Sequence, residues 1–203
     1  MTILETYNAQ KTAFIFGLDE VLYPEKDYLL QVYYLFAEFI EYTEQISSKE
    51  ILSFMQQEYS HHGNVNIFDK TAEKFNLPTK YKSNFELLHE TARLPLKLLL
   101  FQNILSLLQE LVVERKEIYL LVTGKPSVQL NKIKQFEWHG LEPHLKLYFS
   151  EEQEPYLSGK SVGFIIDQNN LKKENVLYIG NSDKEEEASV TAGVEFLFVT
   201  KLL

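Results

Sequence analysis

A glycine and an acidic residue follow a short apolar run near the start of the chain. Residues 13–16 are Ala-Phe-Ile-Phe, and Gly17, Leu18 and Asp19 come directly after them. Ligands of open α/β sheets bind beyond the carboxyl ends of the strands, so the end of such a run is a place to search for chemistry. Gly17 has no side chain, so it can neither attack an electrophile nor donate a carboxylate to a metal. Asp19 is the first acidic residue of this turn.

Polar residues also follow two later apolar runs. Thr123 and Gly124 come after residues 117–122, and Asn181 comes two residues after the run at 176–179. Glu185 lies four residues beyond Asn181. If these runs are parallel strands, their polar ends meet at one edge of the sheet. An ordinary turn is the alternative interpretation of each position, because Asp, Thr and Gly are common turn residues.

The strands that position these residues are predicted from nearly continuous apolar runs. Strands buried on both faces have this composition. Helical patterns lie between the last four runs, at residues 127–138, 161–171 and 183–192, and Gly193 is placed to end the last helix. Alternating strands and helices predict a parallel sheet with helices on both sides. The five predicted strands are residues 13–16, 117–122, 146–149, 176–179 and 195–199.

Residues 24–97 have a different character. They contain no strand pattern, and apolar side chains recur there at helical spacing in four segments. Pro24 and Pro95 mark the two ends. We expect an all-helical insertion after the first strand, followed by a helix at 102–114. The apolar positions that define the first helix of the insertion are Leu29, Val32, Tyr33, Phe36, Phe39 and Ile40.

Taken together, these motifs resemble the haloacid dehalogenase-like (HAD) superfamily across nearly the whole chain. Its first motif, DxDxT, corresponds to Gly17-x-Asp19-x-Val21, and its fourth, GDSxxD, corresponds to the run from Gly180 to Glu185. The resemblance implies a Rossmann-like α/β core of residues 1–23 and 98–203 with strand order 5-4-1-2-3. Residues 24–97 would form the helical cap, as in the phosphoglycolate-phosphatase-like or nucleotidase-like branch.

The resemblance also implies a role for each site residue. In the family, the residue at Gly17 is the aspartate that becomes phosphorylated, and the residue at Asp19 protonates the leaving group and activates water. The Thr123 hydroxyl and the Gly124 backbone N–H would hold phosphoryl oxygens near a helix N-terminus. Lys160 corresponds to the lysine that offsets the charge of the phosphate, although an ordinary surface lysine is the alternative.

A Mg²⁺ ion is the cofactor that the resemblance implies. It would be held by the nucleophilic aspartate, by the backbone carbonyl at Asp19 and by the acid of the fourth motif. Here Gly17 and Asn181 replace two anionic ligands, while Glu185 conserves an acid. Because Mg²⁺ prefers carboxylates in octahedral geometry, we expect weak or absent binding.

Three functional hypotheses follow. The first is a catalytically degenerate HAD-like protein that retains binding of phosphate or a phosphorylated small molecule. The second is an active Mg²⁺-dependent phosphomonoesterase, nucleotidase-like, with an atypical mechanism that uses Asp19, Thr123 and Lys160. The third is a non-catalytic protein-interaction module. The loss of the nucleophile at Gly17 favours the first hypothesis.

Bulk composition restricts the remaining classes of function. The chain has 203 residues, of which 45% are hydrophobic, which is enough for one domain with an insertion or for two small domains. It has no cysteine, which excludes disulfides and thiolate metal sites. The net charge of −9 argues against nucleic-acid partners. No secretory signal or long apolar run is evident, so we expect a cytoplasmic protein without a membrane association.

Overall fold

Five strands form one parallel sheet in the part of the chain that the structure describes. The computed structural model describes residue 7, residues 10–152 and residues 157–203. The sheet order is β3-β2-β1-β4-β5, and all neighbouring pairs are parallel. The predicted order, 5-4-1-2-3, is the same arrangement read from the opposite edge of the sheet, so the prediction is confirmed. In chain order the strands are β1 (Ala13–Phe16), β2 (Glu117–Val122), β3 (Leu145–Phe149), β4 (Val176–Gly180) and β5 (Glu195–Phe198).

The helices of the described residues fall into two groups along the chain. Four helices separate β1 from the helix that precedes β2, and the others alternate with the strands. The first group is α1 (Glu25–Glu44), α2 (Ser48–His62), α3 (Ile67–Phe75) and α4 (Tyr81–Thr91). The second group is α5 (Gln102–Val113), α6 (Pro126–Ile133), α7 (Gly159–Gln168) and α8 (Asp183–Ala192).

Internal contacts divide the chain into two compact units. The α/β unit comprises the described residues of 1–25, 98–129 and 136–203, and the helical unit comprises 26–97 and 130–135. The second half of α6 therefore groups with the four helices of the insertion. The sequence gives no indication of this extra segment, because it lies outside the run of helical stripes.

The core of the α/β unit is built on the central strand. All four residues of β1 are fully buried. Ala13 and Ile15 belong to a cluster that includes Val162 and Ile165 of α7 and Ala188 of α8. Burial on both faces explains why β1 is continuously apolar instead of alternating with polar residues.

The core of the helical unit is largely aromatic. Phe36 of α1, Phe68 of α3 and Phe85 of α4 pack against one another. The ring centroids of Phe36 and Phe85 lie 5.1 Å apart, and those of Phe68 and Phe85 lie 5.8 Å apart. Edge-to-face and tilted pairs of this kind are favourable beyond the area they bury. Packing between helices therefore accounts for much of the aromatic content of this segment.

Two helices differ by two or more residues from the sequence prediction at their boundaries. The helix predicted at 127–138 ends at Ile133, because Phe136 forms a parallel bridge with Leu98 and the Glu137 backbone N–H donates to the Leu98 carbonyl at 2.9 Å. The helix predicted at 161–171 begins two residues earlier and ends at Gln168, before Asn170 takes a left-handed φ of 51°. The predicted end of α8 is confirmed, since Gly193 has a φ of 77°.

Within the described residues, none of the helices combines the length and the apolar character that crossing a membrane requires.

Candidate functional site

One cavity of about 800 Å³ lies at the carboxyl ends of the strands in the α/β unit. Residues that follow β1, β2 and β4 line it, as expected for an open parallel sheet. Gly17 and Lys160 do not line the cavity. The predicted site residues that do so are Asp19, Thr123, Gly124, Asn181 and Glu185.

Asp19 is fixed by a hydrogen bond to each carboxylate oxygen. The Tyr23 hydroxyl donates to Oδ1 at 2.7 Å, and the Gln129 side-chain amide donates to Oδ2 at 3.0 Å. The same Gln129 nitrogen donates to the Thr123 carbonyl at 2.7 Å, which connects the end of β1 to the end of β2. The sequence analysis did not identify Tyr23 as a partner of Asp19. Its position four residues after Asp19, in a tight acidic turn, could have indicated that the two side chains lie close together.

The position of the Gly17 side chain is occupied by another residue. A Cβ atom at Gly17 would overlap Oε1 of Glu185 and would lie 3.0 Å from Cγ2 of Val21. A Cβ atom at Gly180, at the end of the neighbouring strand β4, would lie 3.0 Å from Cδ of Glu185. Two glycines at the ends of adjacent strands thus make the space in which the Glu185 carboxylate lies.

Hydrogen bonds hold the Glu185 carboxylate in that space. Oε2 accepts from the backbone N–H groups of Asn181 and Ser182, both at 2.9 Å, and from the Ser182 hydroxyl at 2.7 Å. Ser182 is the N-cap of α8, and with Glu185 at the third helical position it forms a capping box. Glu185 therefore satisfies backbone donors at the start of its own helix.

A buried tyrosine completes the surroundings of Glu185. The Tyr178 hydroxyl donates to Oε1 at 3.4 Å. Burial, and then the nearby Glu185 carboxylate, raise the pKa of Tyr178 well above its usual value. Tyr178 consequently stays protonated and acts as a donor.

Two buried polar atoms near the cavity have no hydrogen-bond partner among the described residues. They are the Ser150 hydroxyl oxygen, at the end of β3, and the Gln129 side-chain carbonyl oxygen. Ser150 lines the cavity and is only 1% exposed. Nothing in the sequence distinguishes Ser150 from other serines, since its burial is a property of the folded chain.

The family model for haloacid dehalogenase-like hydrolases matches residues 14–199. The chain belongs to this family. The match spans both the α/β unit and the helical unit, and it confirms the resemblance inferred from the motifs. No curated protein matches the chain.

Solved structures with the HAD fold agree with this assignment. A proposed β-phosphoglucomutase from Thermotoga maritima has a TM-score of 0.64 at 15% identity, covering 91% of this chain and 83% of its own. A HAD-like family hydrolase from Xanthomonas campestris has a TM-score of 0.55 at 13% identity, covering 93% and 81%. A proposed HAD hydrolase, YfnB from Bacillus subtilis bound to magnesium, has a TM-score of 0.52 at 13% identity, covering 92% and 87%.

The residues present do not fit the Mg²⁺ ion that HAD proteins generally use. Gly17 offers no ligand, and the Glu185 carboxylate is engaged by three donors of the α8 capping box. Both oxygens of Asp19 accept hydrogen bonds as well. No group of three or more His, Cys, Asp or Glu side chains in the described residues could hold a metal ion. The site is therefore poorly suited to hold Mg²⁺.

Lys160, the predicted phosphate-neutralising lysine, is the second residue of α7 and its side chain is exposed. Its backbone N–H donates to the Ser158 hydroxyl at 3.2 Å, as part of a capping box that Ser158 forms with Ser161. Ser158 and Gly159 line the cavity, whereas Lys160 does not. The structure thus places the start of α7, but not the lysine itself, at the cavity.

Proposed function

We propose that this HAD-family chain does not transfer phosphoryl groups and that its cavity serves as a binding site for a small molecule. One observation carries the proposal: the Glu185 carboxylate occupies the space that the side chain of a nucleophilic aspartate would need at Gly17. The position of the missing nucleophile is therefore closed by another side chain.

Glu185 is poorly suited to replace the nucleophile. An aspartate side chain would start from Cβ of residue 17, whereas Oε1 of Glu185 reaches the same space from α8 and overlaps that Cβ position. Three hydrogen bonds also engage Oε2, so its lone pairs are less available for attack.

The competing function, an active phosphomonoesterase, would depend on Asp19. Its carboxylate is well ordered, but it lies two residues from the nucleophile position and cannot take over an in-line attack from there. Direct attack by water is the remaining route. Loss of a nucleophile typically lowers turnover by about 10⁶, so this route would be slow.

The organisation of the chain also belongs to this proposal. We propose that residues 24–97 form the cap domain of the family and that residues 1–23 and 98–203 form its core. The helical unit, with its own aromatic core, supports a cap that folds as one compact body.

Hydrolysis assays test the loss of activity. Wild-type protein and the Asp19→Asn variant, purified identically, would be assayed with Mg²⁺ against a panel of phosphomonoesters. We expect the same background rate for both, because neither has a nucleophile. Turnover of about 1 s⁻¹ or more in the wild type that is lost in Asp19→Asn would contradict the proposal.

Binding of phosphate at Thr123 and Gly124 stays a prediction. Both residues line the cavity, and α6 begins directly after them at Pro126. A helix N-terminus attracts anions in general. Calorimetric titration of the full-length protein with inorganic phosphate tests this prediction, and the absence of binding at millimolar phosphate would contradict it.

A further inference from the structure

We propose that this site has become independent of divalent cations, and that the length of the Glu185 side chain enforces the change. The inference goes beyond the loss of phosphoryl transfer, since the acids that remain could still hold a cation after the nucleophile is lost. It concerns the disagreement between the Mg²⁺ that HAD proteins generally use and the residues that this chain has at three positions. These are Gly17, Asn181 and Glu185.

The Glu185 side chain occupies the space that a metal ligand at position 17 would need. Its Oε1 atom overlaps the position of a Cβ atom at Gly17, and its Cδ atom lies 3.5 Å from that position. An acid restored at position 17 would therefore bring a second carboxylate into the same space. Like charges at such a distance disfavour each other, and this repulsion adds to the overlap. A new carboxylate at position 17 is consequently not sufficient for a metal site while residue 185 is a glutamate.

The protein itself compensates the charge that a cation would otherwise compensate. Oε2 of Glu185 accepts from the backbone N–H groups of Asn181 and Ser182 and from the Ser182 hydroxyl, and Oε1 accepts from the buried Tyr178 hydroxyl. Hydrogen bonds to an ionised acceptor are roughly twice as strong as those between neutral groups. A cation that bound Glu185 would have to displace these donors. The carboxylate is thus stabilised in its position without a metal ion.

One methylene group decides between the two arrangements. Glu185 is the third residue of α8, and its carboxylate reaches from there to the end of β1. An aspartate at this position would be shorter by about 1.5 Å, the length of one C–C bond. It would therefore leave the space beside Gly17 open for another side chain. Glutamate in place of the aspartate of the fourth motif is thus not a neutral exchange, although both residues are acids.

Mn²⁺ binding tests the inference without a measurement of activity. Two full-length proteins would be compared, Gly17→Asp/Asn181→Asp and the same protein with Glu185→Asp added. Mn²⁺ takes the same oxygen ligands as Mg²⁺, and electron paramagnetic resonance of the free ion gives its dissociation constant. We expect the triple variant to bind Mn²⁺ at least about tenfold more tightly, because only there is the new carboxylate at position 17 accommodated as a ligand. Equal affinities of the two proteins would overturn the inference.

Glu187→Asp is the matched control for the change in length. Glu187 is an exposed glutamate that also lines the cavity, but it does not approach the Cβ position at Gly17. Added to Gly17→Asp/Asn181→Asp, it should change the Mn²⁺ affinity by less than about twofold, since it preserves the charge and opens no space at position 17. Equal tightening by Glu187→Asp and Glu185→Asp would refute the specific role of Glu185.

Two proteins that keep Gly17 make the test independent of how well the variants fold. The wild type and Asn181→Asp should bind Mn²⁺ only above about 1 mM, and tighter binding by the wild type would overturn the inference by itself. Circular dichroism and urea unfolding would monitor every protein. A triple variant that folds where Gly17→Asp/Asn181→Asp does not would support the overlap of the two carboxylates. Hydrolytic activity in the preceding assay would refute the proposed function, whereas these titrations report on cation binding alone.

Discussion

At the scale of single residues, Gly17 and Glu185 form a coupled pair. The family has an aspartate at one position and a metal-binding acid at the other. In this chain, the glycine makes the space and the longer glutamate fills it, folding back onto the end of β1. Because the two side chains compete for one volume, a change at either position should alter the effect of a change at the other.

A double-mutant cycle measures this coupling. Gly17→Ala should lower the free energy of unfolding by about 1–2 kcal/mol, since the added methyl group displaces the Glu185 carboxylate from its hydrogen bonds. In a Glu185→Ala background the same change should cost less, because the space is then empty. Urea unfolding of the four proteins gives the values, and an equal cost of Gly17→Ala in both backgrounds would argue against the coupling.

The sequence could predict which residues meet at the cavity, but not the conformation of the Glu185 side chain. Asp19, Thr123 and Asn181 follow neighbouring parallel strands, so their proximity follows from the topology alone. The Glu185 conformation depends on the space above Gly17 and Gly180, which exists only once β1 and β4 are paired. The burial of Ser150 is likewise a tertiary property.

At the scale of elements, the start of α8 joins helix stability to the site. Ser182→Ala removes the N-cap and a donor to Glu185, so it should lower the free energy of unfolding by about 1 kcal/mol. Ser106→Ala is the matched control, because the exposed Ser106 hydroxyl donates only to a backbone carbonyl within α5. Its effect should be within about 0.5 kcal/mol. Similar urea midpoints for the two variants would show that the capping box contributes little.

The elements themselves were largely predictable, and the exceptions have tertiary causes. Continuous apolar runs identified all five strands of the described sheet, and helical spacing identified the insertion. The predicted end of α6 at residue 138 was wrong. Phe136 pairs with Leu98, 38 residues away in sequence, and this pairing overrides the local helical pattern. Local patterns contain no information on such a partner.

At the scale of the whole molecule, the stability of the chain should depend on pH through a histidine in the helical unit. His89 of α4 lies against the Phe85 ring, with centroids 4.9 Å apart, and its Nδ1 lies 3.1 Å from the Tyr28 hydroxyl. Burial, and then the nearby Lys132 ammonium, lower the pKa of His89 from 6.5 to about 4. The folded protein therefore prefers the neutral imidazole, whereas the unfolded chain binds a proton near pH 6.5.

The unfolded state binds more protons than the folded state between pH 4 and 6.5, so the free energy of unfolding should fall as the pH falls through this window. The contribution of His89 is fully present above pH 6.5, and its loss amounts to about 2–3 kcal/mol near pH 4. His89→Asn should flatten this dependence, because asparagine does not titrate. Urea unfolding of both proteins at intervals from pH 7 to pH 4 measures the difference.

Two other groups also titrate near the lower end of this range. The pKa values of Glu41 and Glu58 are lowered by hydrogen bonds from Ser48 and Lys70, respectively. Their contributions to stability are lost as the pH falls below about 4.5, but this happens equally in both proteins and so cancels in the comparison. Parallel curves for the wild type and His89→Asn between pH 6.5 and 5 would mean that His89 is not the group that couples protonation to folding.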